Sequence, residues 1–276
     1  MPAAERRARE TETPLLIGKP GPAKTAIAAA DADGVNVRGR DLVADLMGRL
    51  TFTEFFYLLM TGREPTPEQR YFLDLLLVSI AEHGLVPTAI AARMTYDAAP
   101  DSLQGAVAAG ILGAGPVVLG TAELCGKALT AAAARIADGA DPAKVTAAVA
   151  AEIHARGDKM PGFGHPLHKP VDPRADRILT LAEERGVAGR HVALAHAFVP
   201  AVTTVWGRPL PMNVSMAIAA VLLDLDFPAP MIKAVPLLAR TAGLLAHLAE
   251  EHERPIGFVM ASAAEDAIAY DGKKDR

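Results

Sequence analysis

The sequence predicts an all-α protein, and three observations carry that prediction. Alanine recurs with leucine, isoleucine and valine at helical spacing in a chain that is 51% hydrophobic but only 5% aromatic. That composition suits close-packed helices better than a sheet. Helix-start chemistry recurs, as in "TFTE", where Thr51 can cap a helix and Glu54 can close a capping box. β-type runs are scarce, and the best of them, "TTVW" at 203–206, is weak.

In chain order, residues 1–35 read as a poorly structured lead-in. Its "GKPGPAKT" mimics a phosphate loop, but glycine and lysine are misplaced and two prolines remove backbone donors. "DLVADLMGRL" has helical spacing, and the Thr51 helix follows it. "TGREPTPEQ" is a turn, with a helix starting near Thr66. Ser102 starts a helix that Gly115-Pro116 interrupts; "VLGTAELCGKALTAAAARIADG" resumes it, and "DPAKVTAAVAAEIHARG" is another. After the proline-rich "MPGFGHPLHKPVDPR", the segments "ADRILTLAEERG", "RHVALAHAFVPAVTTVWG", "SMAIAAVLLDLD" and "PMIKAVPLLARTAGLLAHLAEEHE" are helical, followed by a polar tail.

Composition narrows the function. At 276 residues the chain can bury a full core. A net charge of −4 with both signs dispersed gives no basic stripe for nucleic acid. Cys125 is the only cysteine, which excludes an intramolecular disulfide and a cysteine-rich metal site and fits a reducing cytoplasm. "MPAAERRARETETP" lacks the apolar core of a signal peptide or anchor, and the longest apolar runs carry charges or prolines, as buried helices do. No membrane partner is expected.

The loop at 160–174 is the chemical candidate. Its glycines let backbone approach a ligand and present N–H groups to an anion. His165 follows two of them and can donate or polarise, although a surface loop with an incidental histidine has the same composition. His165 and His168 are spaced like a metal pair, but Pro166 intervenes and no acidic or cysteine partner is near in sequence, so no metal is expected. His247, on an apolar helix face, reads as a satisfied core histidine. Arg174 ends the loop, Arg240 interrupts an apolar helix and Arg254 follows a helix end. Such arginines need acidic partners, either internal or in a ligand, and the guanidinium fork suits the carboxylates of a small polycarboxylic acid.

Taken together these segments resemble the citrate synthase family, including the citryl-CoA lyase module of ATP-citrate lyase, in order over roughly residues 35–260. "VRGRDLVADLMGRLTFTEFFYLLMTGREPT" is similar to the family's first segment, "AEHG" to its "ADHG" or "DHE" motif, and "PGFGHPLHKPVDPR" to "GFGHRVYKNYDPR". "LARTAGLLAHLAEE" resembles its arginine helix ending in "AHxxE", and "ERP" the arginine motif that follows. The resemblance implies a large helical domain (36–115 with 226–276) and a smaller mobile helical domain (116–225) that closes over the ligand. It implies a homodimer with shared sites. It places His165 on the carbonyl or hydroxyl oxygen of an oxaloacetate or citryl group, with His83 on the same ligand. Arg174 and Arg240 would bind its carboxylates, and Arg254 would do so from the second subunit. Pro161, Gly162, Phe163, Gly164 and Lys169 would hold coenzyme A, as part of an acyl-CoA substrate.

Three positions depart from the family. Val118 in "GPVVLGTA" stands where the synthases' "GPLHGGA" has a histidine, as it is also missing from the ATP-citrate lyase module. Ser215 in "NVS" stands where "NVD" has the proton-moving aspartate, and an unactivated serine is not a base. Asp224 and Asp226 lie two to three helical turns on, too far to substitute. Pro166 replaces the arginine of "GHRV". The resemblance therefore implies a citryl-CoA lyase-type enzyme, with His165 taking the hydroxyl proton and Ser215 in the base's place. The alternatives are a lyase or acyltransferase acting on another acyl-CoA, and a non-catalytic paralogue that binds polycarboxylate or acyl-CoA.

Overall fold

The computed structural model describes residues 24–272 apart from 138 and 166. The phosphate-loop mimic lies almost wholly outside these residues. The chain divides at Glu64/Pro65 into two compact units.

The first unit holds the strands that the sequence did not announce. β1 (Ala28–Ala30), β2 (Val35–Val37) and β3 (Arg40–Asp41) form an antiparallel meander in the order β1-β2-β3. The expected lead-in therefore stops short of residue 35. Strands this short carry no readable alternation, and here turns set them. Arg38 and Gly39 both have left-handed φ between Val37 and its partner Arg40, the geometry of a two-residue hairpin. Asp41 caps a π-helical turn, Leu42–Leu46, and α1 (Phe52–Thr61) starts at the expected Thr51–Glu54 capping box. Val37, Leu46 and Leu58 form this unit's core.

The second unit is helical. It comprises α2 (Pro67–Ala81), α3 (Pro87–Ala98), α4 (Leu103–Leu112), α5 (Thr121–Ala137), α6 (Pro142–Ala155), α7 (Pro173–Glu184), α8 (Arg190–Trp206), α9 (Val214–Asp224), α10 (Ala234–Glu253) and α11 (Gly257–Ala267). α2, α3, α6 and α7 open with proline in their first turn, where its missing N–H costs nothing. "TTVW" ends α8 as helix, in line with the all-α reading.

Two helices organise the rest. α9 is buried almost all round, with Met216, Ala217, Ile218, Ala219, Ala220 and Val221 at 1% exposure or less. It packs on α5, α7 and α8, and each such isoleucine or valine contributes about 1.5–3 kcal/mol. α10 packs on α2, α3 and α4. With its preceding turn, Ala229–Glu253 is long and apolar enough to cross a bilayer, but here it serves as a core helix. At Gly243 it presses onto the end of α2: a Cβ there would sit 2.2 Å from the Ala81 carbonyl oxygen. The candidate site gathers where the end of α2, the loop before α7, the start of α9 and one face of α10 meet.

Candidate active site

The loop at 160–174 is docked on the segment before α9. Phe163 bridges to Met212. Asn213 N donates to the Gly162 carbonyl (2.8 Å), Asn213 Nδ2 donates to the Gly164 carbonyl (2.9 Å), and Gly164 N donates to the Pro211 carbonyl (2.7 Å). Gly162 has φ +78°, and a Cβ there would meet Met216 Cβ at 2.7 Å and Cys125 Sγ at 2.8 Å, so only glycine fits. This docking uses backbone groups that the sequence offered to an anion, since the Phe163 and Gly164 N–H groups both pair within the chain. Lys169 is exposed on the same loop.

Asp172 fixes the loop's other end. It is fully buried, caps α7, and accepts from Arg174 N and Nε (both 3.1 Å), Arg174 Nη2 (2.9 Å) and Val214 N (3.1 Å). Burial pushes its carboxyl up, but the Arg174 hydrogen bond and charge and the Val214 N–H outweigh this and hold it below the usual carboxylate range.

The result is a cluster of three imidazoles. His165 and His168 stack with centroids 4.3 Å apart, and His83 lies 5.5 Å from each. His165 Nδ1 accepts the backbone N–H groups of Leu167 (3.1 Å) and His168 (2.9 Å). These two contacts favour a neutral ring with its proton on Nε2, which faces the cluster, while the donor Arg174 Nη2, 3.4 Å from Nε2, pulls toward the other tautomer. In the favoured tautomer His165 offers Nε2–H toward the cluster as a hydrogen-bond donor. Burial first, then His168, Arg174 and His83, hold its imidazole below the ordinary range against the opposing pull of Asp172. One ring nitrogen from each histidine falls within 4.8 Å of the others, close enough to suggest a metal. Ligation through His165, however, would need a lone pair at the nitrogen that bears its proton.

Arg240 is 2% exposed, and its Nε and Nη1 have no hydrogen-bond partner among the described residues. Nη2 donates to the Ile80 carbonyl at 3.3 Å. Burial and the nearby Arg174 charge lower its pKa, while Glu82 opposes them. Such a group calls for an anionic acceptor.

The His83 turn is held from below. Glu82 Oε1 accepts from His83 N (2.7 Å), Gly84 N (2.6 Å) and His247 Nε2 (3.0 Å). His247 Nδ1 accepts from Arg93 Nε (2.9 Å), and the buried Arg93 is anchored by Glu250 and Glu251. His247 is thus satisfied, as expected, and also supports the site. Burial raises the Glu82 carboxyl, but the bonds from His247, His83 and Gly84 lower it further.

The remaining positions are less gathered. Ser215 opens α9, and its N–H is capped by Asn213 Oδ1 (3.0 Å), but its hydroxyl has no hydrogen-bond partner among the described residues. Asp224 cannot replace it. Its carboxylate accepts Gly189 N, His191 N and Val192 N, all within 2.9 Å, closing the N-terminus of α8, and it pairs with His191 Nδ1 at 2.8 Å. Val118 lies in the loop before α5, beside Leu119, which has left-handed φ. Arg254 is exposed and pairs with Glu250, outside the histidine cluster. Pro166 lies outside the described residues. Asp172, Asn213, Glu82 and Arg93 escaped the sequence reading. "DPR" and "NVS" carry the first two as helix caps, but nothing local marks Glu82 or Arg93.

Fold and site together define a helical protein whose three clustered histidines lie beside Arg174, with the buried Arg240 near that arginine. The chain belongs to the citrate synthase family: residues 5–257 match the family described as citrate synthase, C-terminal domain. Its structure is similar to citryl-CoA lyase from Hydrogenobacter thermophilus, with 28% identity, 93% of this chain and 97% of that one covered, and a TM-score of 0.81. It is also similar to ATP citrate lyase from Methanothrix soehngenii in complex with citrate and coenzyme A (19% identity, 100% of this chain, TM-score 0.73), of which it covers 45%. A third likeness is to Thermoplasma acidophilum citrate synthase in ternary complex with carboxymethyl coenzyme A and oxaloacetate (20% identity, 82% and 58% covered, TM-score 0.64). The last two bear on the fold alone. No curated protein sequence matches the chain.

Proposed function

We propose that the chain is a carbon–carbon lyase of the citryl-CoA lyase type. It would cleave citryl-CoA, or a related 3-hydroxyacyl-CoA, to acetyl-CoA and oxaloacetate or another 2-oxo acid. The observation that carries this reading is Arg240, buried with two guanidinium nitrogens unpartnered and close enough to feel the charge of Arg174, whose Nη2 lies 3.4 Å from His165 in the histidine cluster. A guanidinium does not shed its proton, so the ligand must bring the negative charge. A tricarboxylate half of citryl-CoA does so. The likeness to a citryl-CoA lyase across nearly the full length of both chains supports the reaction class.

In this reading Arg174 and Arg240 take carboxylates. His165 donates Nε2–H to the ligand's hydroxyl oxygen, where negative charge develops as the carbonyl forms. His83 contacts the same group, and Pro161, Gly162, Phe163, Gly164 and Lys169 lie along coenzyme A. The tautomer of His165 favours binding without a metal. A homodimer belongs to the same proposal, with Arg254 reaching the partner's site. Support comes from Leu103 and Leu245, exposed on α4 and α10 at an apolar groove that Val107 and Ile111 also line. A hinge near residues 116 and 225 and a cytoplasmic location are proposed with it.

The unpartnered Ser215 hydroxyl favours a second reading, a non-catalytic binder of polycarboxylate or acyl-CoA. Both readings require the anion site. Thermal unfolding with citrate and with coenzyme A tests it: each is expected to raise Tm in proportion to the logarithm of its concentration. No shift with either at millimolar concentration would sink both.

A further inference from the structure

We infer that His247, backed by Arg93, is a positioning residue that holds Glu82 away from Arg240 and so keeps that arginine free for the ligand's carboxylate. The inference deepens the anion-site reading above and rests on it. It starts from an imbalance. Arg240 is buried, and its Nε and Nη1 have no partner among the described residues. A buried cation left in this way is strongly unfavourable, and a carboxylate at hand would relieve it. Glu82 is such a carboxylate. Arg240 donates Nη2 to the carbonyl of Ile80, two residues before Glu82. Gly243 follows Arg240 by three residues on the same face of α10, and Glu82 Oε2 lies 3.0 Å from where a Gly243 Cβ would sit. The Glu82 charge is felt at Arg240. Yet Glu82 makes its hydrogen bonds elsewhere.

The reason lies at its other oxygen. Glu82 Oε1 accepts from His83 N (2.7 Å), Gly84 N (2.6 Å) and His247 Nε2 (3.0 Å). The third of these donors is set by Arg93. A guanidinium only donates, so His247 Nδ1, 2.9 Å from Arg93 Nε, presents the ring's lone pair. The proton of the neutral ring is then on Nε2, which faces a carboxylate. Both contacts of this imidazole ask for the same tautomer. Arg93 cannot turn away from it, being buried and bound to Glu250 and Glu251. Glu251 is itself committed, since it also accepts the Ile256 and Gly257 N–H groups at the start of α11.

A fixed donor therefore pins Glu82 by Oε1, and Arg240 keeps no internal counter-ion. An entering carboxylate meets an unneutralised guanidinium. Without the His247 donor, rotation of the Glu82 side chain brings Oε2 to Arg240, and the resulting ion pair competes with the ligand. Apparent affinity then falls with the fraction of molecules whose Arg240 is free.

The test is citrate affinity, by isothermal titration calorimetry, of the full-length wild type, His247→Leu, Glu82→Gln and the double variant. His247→Leu should bind about tenfold or more weakly. Glu82→Gln keeps an oxygen for the His83 and Gly84 N–H groups but removes the competing charge, so it should bind at least as tightly as the wild type. The double variant should bind like Glu82→Gln. That rescue is what a merely structural His247 would not give. A double variant as weak as His247→Leu, or a folded His247→Leu with wild-type affinity, overturns the inference and leaves the anion site standing. A wild type that binds no citrate sinks the anion-site reading instead. In that case the crystal structure of ligand-free His247→Leu decides, or that of His247→Phe, which keeps a ring, should the leucine variant not fold. Glu82 paired with Arg240 supports the inference; Glu82 still on the His83 N–H, with Arg240 free, overturns it.

Discussion

His165 accepts the backbone N–H of His168 at Nδ1, 2.9 Å away, and this one bond sets what the loop histidine can do. It favours the proton on Nε2 and disfavours an imidazolium, which would have to place a second proton on the occupied Nδ1. Together with burial, this gives a pH prediction. The folded-state pKa of His165 lies below its usual value of about 6.5, so the unfolded chain takes up the proton first as pH falls. The stabilisation is therefore present above about pH 6.5 and is lost as pH falls toward the lowered folded value. Tm should decline from about pH 7.5 to about 5.5, and His165→Gln should flatten part of that decline.

Arg240 gives the clearest separation of binding from folding. Arg240→Met removes a buried charge whose Nε and Nη1 have no partner and gives up one bond, at 3.3 Å to the Ile80 carbonyl. Replacing a poorly compensated buried ion by an apolar side chain is neutral or stabilising by about 1–4 kcal/mol. The variant should unfold at the same or higher temperature than the wild type and lose its response to citrate. A destabilised variant that still responds would contradict the assignment.

Asp172 should behave in the opposite way. Asp172→Asn leaves the Arg174 guanidinium uncompensated and turns an amide N–H toward other donors. Breaking a buried pair costs about 3–5 kcal/mol, and somewhat less is expected here because Arg174 keeps 20% exposure. Denaturant unfolding reads the loss, and citrate affinity should fall with it.

Gly243 tests how the His83 turn is supported. An alanine Cβ would lie 2.2 Å from the Ala81 carbonyl oxygen and 3.0 Å from Glu82 Oε2, and the carbonyl belongs to a helix end that cannot swing aside. Gly243→Ala should cost about 1–3 kcal/mol and shift the His83 imidazole signals, while those of His191, bound to Asp224, stay in place.

The helices were legible because their signals are local. Thr51 caps where "TFTE" said it would, a helix starts at Thr66 as expected, and Gly115-Pro116 breaks the chain between α4 and α5. The small sheet was not legible, because strands of two or three residues depend on the turn at Arg38–Gly39 and on packing against Leu46 and Leu58. In the site, His165, Arg174 and Arg240 could be picked out as residue types on suggestive segments, and His83 only through the family resemblance of "AEHG". The His165 tautomer could not, because it depends on where the Leu167 and His168 N–H groups point after the loop docks. The support of His83 by Arg93 joins residues 154 positions apart through His247, and no local pattern records it.

The central claim is that this anion site breaks a carbon–carbon bond. Purified protein mixed with citryl-CoA, with oxaloacetate followed through a coupled dehydrogenase, tests it most directly. The account predicts oxaloacetate and acetyl-CoA in equal amounts, with release lost in a folded His165→Ala variant. Citryl-CoA recovered intact at enzyme concentrations near those of the substrate would contradict it.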